Sequence, residues 1–257
     1  MADTAGQRLL VALGDSITAG VGGKWNKGYA EHLHELLQRK HGELKLVNWG
    51  IPGLTIPRLR KAIAKGEHLH DTIQGASMIV MTIGGNDLLG TLPKKMPADL
   101  EMLAERPNRQ FARDLDELML TIRSLTRAPI YLGDLYNPFP QSEYAARLIG
   151  MVNRIYLHPL ADRYSGVHIV HLNDVLRGQE STVIQYYKSG TLRDLKRWWR
   201  RPIHPNDTGH QLIARAFHSI IRSTEPPKPK QKPKQKSKSK PKSPTKPKNQ
   251  NPYRPRH

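Results

Sequence analysis

Four short blocks of the sequence carry groups suited to acyl transfer. The first is Gly14-Asp15-Ser16, which directly follows the apolar run at 9–13. A serine in a tight turn at the end of a buried strand has its hydroxyl held out of the sheet and its N–H turned to the same cleft, as a nucleophile requires. The competing reading is that Asp15 or Ser16 only caps the segment that follows. Asn48-Trp49-Gly50 follows a second apolar run, and Gly84-Gly85-Asn86-Asp87 a third. A free backbone N–H at Gly50 and the side-chain amide of Asn86 would then point at one oxyanion beside Ser16. Such donors typically contribute ~3 kcal/mol each. Turn chemistry also accounts for Gly and Asn at these places, but three such turns behind three strands converge on one edge of a parallel sheet.

The base for such a serine is a histidine, and the chain has twelve. His204 stands out. It lies in Ile203-His204-Pro205-Asn206-Asp207, where Pro205 restrains its backbone and Asp207 or Thr208 is placed to cap a final helix. His210, inside that helix, reads as structural. His32, His34, His68 and His70 have neither a strand-end position nor a partner and read as solvated. The pairs at 32/34 and 68/70 are weak metal-binding patterns without a third ligand.

These blocks need a frame that brings them together, and the hydrophobic pattern supplies one. Apolar runs at 9–13, 44–47, 78–83, 130–132 and 167–172 have the length of strands, the first with no polar face. Helical periodicity marks 29–40, 57–65, 111–125, 143–164 and 208–222. Five strands alternating with helices predict an α/β fold with a mostly parallel five-stranded sheet covered by helices on both faces. The stretches 89–108 and 173–203 are long for plain connections. Each follows the carboxyl end of a strand, so both are candidate walls or lids of a site.

The 257 residues include 41 Lys plus Arg against 22 Asp plus Glu, a net charge of +19, and no Cys. Without cysteine there is no disulfide framework, Cys-ligated zinc, iron–sulfur site or thiol nucleophile. The charge is unevenly placed. Residues 225–257 hold ten Lys and two Arg against one Glu, together with nine of the 20 Pro and no aliphatic residue. The division is therefore a folded domain over 1–224 and a disordered Lys/Pro-rich tail over 225–257. At +11 the tail suits non-specific tethering to a polyanion such as an anionic cell-wall polymer, lipid headgroups or nucleic acid, with strong salt dependence. A merely solubilising tail is the plainer alternative. Lys196-Arg197-Trp198-Trp199-Arg200-Arg201, just before His204, reads either as a patch for an anionic or lipid surface or as a turn whose indoles pack on the body. No run is long enough to span a bilayer, and residues 1–7 are not the basic start of a secretory signal. That favours a cytoplasmic location, with spore or cell-envelope association as the alternative.

Gly14-Asp15-Ser16-Ile17-Thr18, Asn48-Trp49-Gly50, Gly84-Gly85-Asn86-Asp87 and His204-Pro205-Asn206 together resemble, in chain order and suitably spaced, the signature blocks of the GDSL-type SGNH hydrolases. The wording around Asn86-Asp87 and from His204 to His210 is similar to that of the bacterial spore-associated lipases of this family. The resemblance implies a flavodoxin-like three-layer α/β/α sandwich, and esterase or lipase activity on an ester, lipid or acetylated glycan without metal or organic cofactor. It also implies that Ser16 is the nucleophile, that the Ser16 and Gly50 N–H groups and the Asn86 side chain form the oxyanion hole, and that His204 is the general base. One position departs from the family pattern: Arg201 stands where an Asp usually orients the histidine. That leaves a Ser–His dyad held by a backbone carbonyl, a distant acid such as Asp194 or Asp174, or a catalytically weak body acting as a tethered binding protein.

Overall fold

The computed structural model describes residues 8–92, 109–196 and 199–225. Five strands form one sheet: β1 (Arg8–Gly14), β2 (Leu44–Gly50), β3 (Met78–Thr82), β4 (Ile130–Gly133) and β5 (Val167–Val170). Their order is β2-β1-β3-β4-β5 and every neighbouring pair is parallel. This is the flavodoxin-like order, in which the chain reverses its direction of winding between β1 and β3 and leaves a crevice at their carboxyl ends. The sheet is in register there, since Gly14 pairs with both Gly50 and Thr82.

Strand alternation divides the core into two layers. Val11, Leu13, Ile79 and Met81 face one side, under α2 (Ile56–Lys65), α3 (Glu67–Gln74) and α5 (Arg109–Leu125). Leu10, Ala12, Met78 and Val80 face the other, under α1 (Tyr29–His41) and α10 (Asp207–Thr224). On that side Tyr29 and Phe217 stack with ring centroids 4.9 Å apart, locking α1 to α10. The predicted α/β/α sandwich with five parallel strands is the fold of the chain.

The structure corrects several local expectations. Helix α3 is unforeseen; only Leu69 and Ile73 of its eight residues are buried. A short α4 (Gly85–Thr91) follows β3, taking in most of the expected Gly84–Asp87 turn and the first residues of the 89–108 stretch. The helix expected over 143–164 is broken into α6 (Glu143–Val152), a π-turn (Asn153–Leu157) and α7 (Leu160–Arg163). The break is fixed from inside: Asn153 is buried, accepts the Leu135 N–H at 3.0 Å and donates to the Leu135 carbonyl at 2.7 Å. Pro159 then starts α7. The stretch 173–203 carries α8 (Leu172–Leu176), α9 (Glu180–Val183) and a 3-10 turn (Leu192–Lys196). Residues 93–108, Arg197, Trp198 and the tail beyond Glu225 lie outside the described residues, and with them the expectations placed there.

Candidate active site

Each piece of the site is held by the end of a strand or by the segment before α10. The turn after β1 is bonded to both neighbours, with Asp15 N–H donating to the Thr82 carbonyl at 3.2 Å and Ile51 N–H to the Gly14 carbonyl at 2.9 Å. Gly14 permits this. With φ at 145°, a Cβ there would lie 2.1 Å from the Thr82 oxygen. Beneath Ser16 the buried Thr18 hydroxyl contacts the Leu13 carbonyl, the Tyr29 hydroxyl and the Thr82 hydroxyl at 3.1, 3.1 and 2.7 Å. The serine turn is therefore seated on a fully bonded polar base.

His204 is delivered by a rigid strap. Its carbonyl accepts the Gln185 N–H at 2.9 Å, Ile184 and Pro205 form an antiparallel bridge, and Asn206 N–H donates to the Val183 carbonyl at 2.8 Å. Asn206, not Asp207 or Thr208, caps α10, accepting the Gly209 N–H at 3.0 Å. The result is that His204 Nε2 stands 3.0 Å from Ser16 Oγ. His210 is structural: its Nδ1 accepts the Tyr29 N–H at 3.2 Å, its Nε2 lies 3.0 Å from the Val21 carbonyl, and it is fully buried.

The orientation of His204 does not come from an acid. Among the described residues no carboxylate meets its Nδ1. Asp194 is buried and committed elsewhere, accepting from Ser189 N, Ser189 Oγ and Gly190 N at 2.9, 2.8 and 3.0 Å. Asp174 pairs with Arg177 at 2.7 Å on the surface. The cation expected beside His204 is turned away, because Arg201 is exposed. Burial, with a smaller contribution from His210, lowers the His204 pKa to about 4, so the imidazole is neutral at ordinary pH. Asp15 and Asp87 brace backbone. Asp15 Oδ1 accepts the Ile17 N–H at 3.0 Å, and both Asp87 oxygens accept the Ile56 N–H at 3.2 Å. Burial raises their pKa values to about 7 and about 6.

Two of the three expected oxyanion donors are available and one is not. Ser16 N–H meets no acceptor among the described residues. Asn86 donates one amide hydrogen to the Leu54 carbonyl at 2.9 Å, which leaves the other. Gly50 N–H, expected to be free, instead donates to Asn48 Oδ1 at 2.9 Å. The glycine there serves packing, since a Cβ would lie 2.2 Å from Ala19 N. Three residues on, in the loop that Asn86 holds through Leu54, the Gly53 N–H meets no acceptor among the described residues. Sequence reasoning missed it; its only sequence signal was a second glycine three residues after Gly50.

Ser16, Asn86 and His204 open on one cavity with apolar walls. Leu88, Leu89, Leu92, Leu135, Phe139 and Leu148 are among its lining residues, together with Leu192 and Ile203. Both long connections singled out in the sequence thus contribute to the wall. The four histidines expected without partners each have one: the His32 side chain is only 14 % exposed and lies 3.8 Å from Asp207, His34 Nε2 sits 2.7 Å from the Leu44 carbonyl, His68 meets Trp49 edge to face, and His70 Nδ1 lies 3.7 Å from Asp71. Neither the 32/34 nor the 68/70 pair finds a third ligand among the described residues.

A Ser–His pair at the carboxyl ends of a parallel sheet, beside unpaired donors and an apolar cavity, defines a hydrolase-type site on a flavodoxin-like frame. The profile of the GDSL-like Lipase/Acylhydrolase family matches residues 12–212, and the chain belongs to that family. It is 26% identical over 231 residues to an uncharacterized protein, YpmR, of Bacillus subtilis, covering 86% of this chain and 84% of that one. It is 24% identical over 210 residues to the spore germination lipase LipC of Bacillus licheniformis, covering 79% and 91%. Among solved structures, the lipase Lip_vut3 from a goat rumen metagenome superposes with a TM-score of 0.66 at 22% identity, covering 83% of this chain and 97% of that one. Axe2, an acetylxylan esterase of Geobacillus stearothermophilus, superposes with a TM-score of 0.59 at 20% identity, covering 83% and 94%. These structures share the fold. No helix among the described residues is long and apolar enough to cross a membrane.

Proposed function

We propose that the chain is a serine ester hydrolase working through a Ser–His dyad, with an apolar acyl group as the preferred substrate part. The observation that carries this is the 3.0 Å approach of His204 Nε2 to Ser16 Oγ at the floor of the apolar cavity. His204 takes the Ser16 proton as Oγ attacks the ester carbonyl. The oxyanion is held by the Ser16 and Gly53 N–H groups and by the free Asn86 amide hydrogen. Gly53 replaces Gly50 in this role because the Gly50 N–H is already bonded. Collapse returns the proton from His204 to the leaving alkoxide and leaves an acyl-serine. Water, deprotonated by His204, then attacks the acyl-serine and releases the acid. Nothing in the cycle needs His204 to be charged at rest, which fits its lowered pKa.

Arg201 is exposed, yet it still stands where the family places the orienting Asp, and that departure is the feature that favours the second reading, a non-catalytic binding protein. The likeness to a spore germination lipase supports an association with the spore or envelope, and the +11 tail is proposed as its tether to a polyanion. Hydrolysis of p-nitrophenyl esters by the wild type and by Ser16→Ala tests the assignment. Loss of turnover in the variant with an unchanged melting temperature supports it, and equal rates overturn it.

A further inference from the structure

Beside the cavity that Ser16 and His204 line, three side chains converge that the proposed hydrolysis does not use. Asp134 follows β4, His171 lies between β5 and α8, and His158 follows the π-turn. Asp134 Oδ2 lies 3.0 Å from His158 Nε2 and 3.4 Å from His171 Nδ1. The three atoms all fall within 4.8 Å of one another. The carboxylate is nearly fully buried and aimed. Its other oxygen accepts the Asn173 N–H at 2.9 Å, and its own N–H donates to the Val170 carbonyl at 3.0 Å. The two imidazoles meet edge to face with centroids 4.8 Å apart. Their side chains are 37% and 51% exposed, which leaves an entry path and room for water as a further ligand.

The geometry points to a divalent transition-metal site of the zinc type, built from Asp134 Oδ2, His158 Nε2 and His171 Nδ1. Two imidazoles and one carboxylate suit zinc, cobalt or nickel, whereas calcium and magnesium prefer a shell of oxygens. The three ligands come from three different segments, so an ion would tie the ends of β4 and β5 to the π-turn. It would do so in a chain with no cysteine for a disulfide. Its role is that of a staple on the cavity wall that Asp134, Leu135 and Tyr136 help to form, and no step of ester hydrolysis passes through it.

Tag-free full-length protein, stripped with chelator, is titrated with Zn²⁺ by calorimetry and with Co²⁺ by visible absorption, alongside His171→Asn and Asp134→Asn. One equivalent is expected in the wild type, with a rise in melting temperature of about 5 °C when Zn²⁺ is well above its dissociation constant. At least a tenfold loss of affinity is expected in each variant. Asn at 134 keeps the acceptor for Asn173, and His171 is half exposed, so both variants retain the fold. A His68→Asn/His70→Asn variant, carrying the other exposed pair, is expected to bind as the wild type does. Absence of binding, or equal binding by His171→Asn and the wild type, overturns the site and leaves the trio as a carboxylate hydrogen-bonded to imidazole.

Discussion

Ser16 Oγ and His204 Nε2 stand 3.0 Å apart across 188 residues of sequence, and no third side chain among the described residues completes the line through the imidazole. The strap of backbone bonds from Val183 to Asn206 fixes the main chain that carries the ring, and the ring's own bond is to Ser16. His204→Ala is therefore expected to lower kcat by about 10³-fold or more. Asp174→Asn leaves kcat unchanged. Asp194→Asn weakens the Ser189–Gly190 turn and lowers the melting temperature, but the folded fraction retains kcat within about twofold, because this carboxylate faces away from the ring. Steady-state kinetics on an activated ester check all three, and a large loss in either Asp variant would argue for a triad.

The neutral state of His204 sets the acid limit of activity. The base works unprotonated, and burial lowers its pKa from 6.5 to about 4, so kcat/KM should hold as pH falls through 6.5 and halve only near 4. The same shift makes this group's contribution to stability rise with pH between those values, since there the unfolded chain binds more protons. A kcat/KM profile with its acid limb near 6.5 would contradict the buried, acid-free environment.

The strands and their helices were legible because each carries a repeating apolar signal: Leu9 to Leu13 leave no polar face, and Ile213 and Phe217 recur at helical spacing. Helix α3 was not, because two buried residues in a polar octapeptide, Leu69 and Ile73, make too faint a period. The break in the long helix was invisible because its cause is tertiary: Asn153 turns inward to clamp Leu135, eighteen residues away. In the site, Ser16 and Asn86 were placed by their positions after strands, and His204 by its position just before the last helix. Gly50 ends β2 and Gly53 lies in the loop just after it, and only the fold-back of the Asn48 side chain onto Gly50 N–H distinguishes their availability. The grouping of Asp134, His158 and His171 depends on β4 and β5 being adjacent, which their separation in sequence conceals.

Asp15 is a buried acid whose folded-state pKa, about 7, lies above the ordinary 3.8. The folded state holds its proton more tightly than the unfolded chain does, so this group costs progressively more stability as pH rises from about 4 to about 7. Asn mimics the protonated acid and keeps the acceptor for Ile17 N–H. Asp15→Asn should match the wild type in stability near pH 4 and exceed it above pH 7, by up to about 4 kcal/mol. Denaturant unfolding at the two pH values reads the difference, and equal stability at both would show that Asp15 ionises freely.

Asn86 is held to the β2–α2 loop by one amide hydrogen, which leaves the second for substrate oxygen. Asn86→Ala should lower kcat by about 10²- to 10³-fold with a small change in KM, as loss of a donor used only in the transition state does. Asn86→Asp keeps the size and removes the donor, and should be no better. A variant whose KM rises while kcat holds would move Asn86 from transition-state stabilisation to ground-state binding.

The cavity above Ser16 is walled by leucines and Phe139, which sets an expectation for the acyl group. Each methylene moved from water into such a wall contributes about 0.8 kcal/mol, roughly fourfold in kcat/KM. A series of p-nitrophenyl esters from acetate upward should therefore show kcat/KM climbing with chain length until the cavity is filled. Leu148 lines the cavity and is only partly buried, so Leu148→Trp can shorten the cavity without disrupting the core. That variant should hydrolyse acetate at the wild-type rate and lose the gain for longer chains. A flat series, or a peak at acetate that Leu148→Trp leaves in place, would direct the search toward acetylated glycans instead.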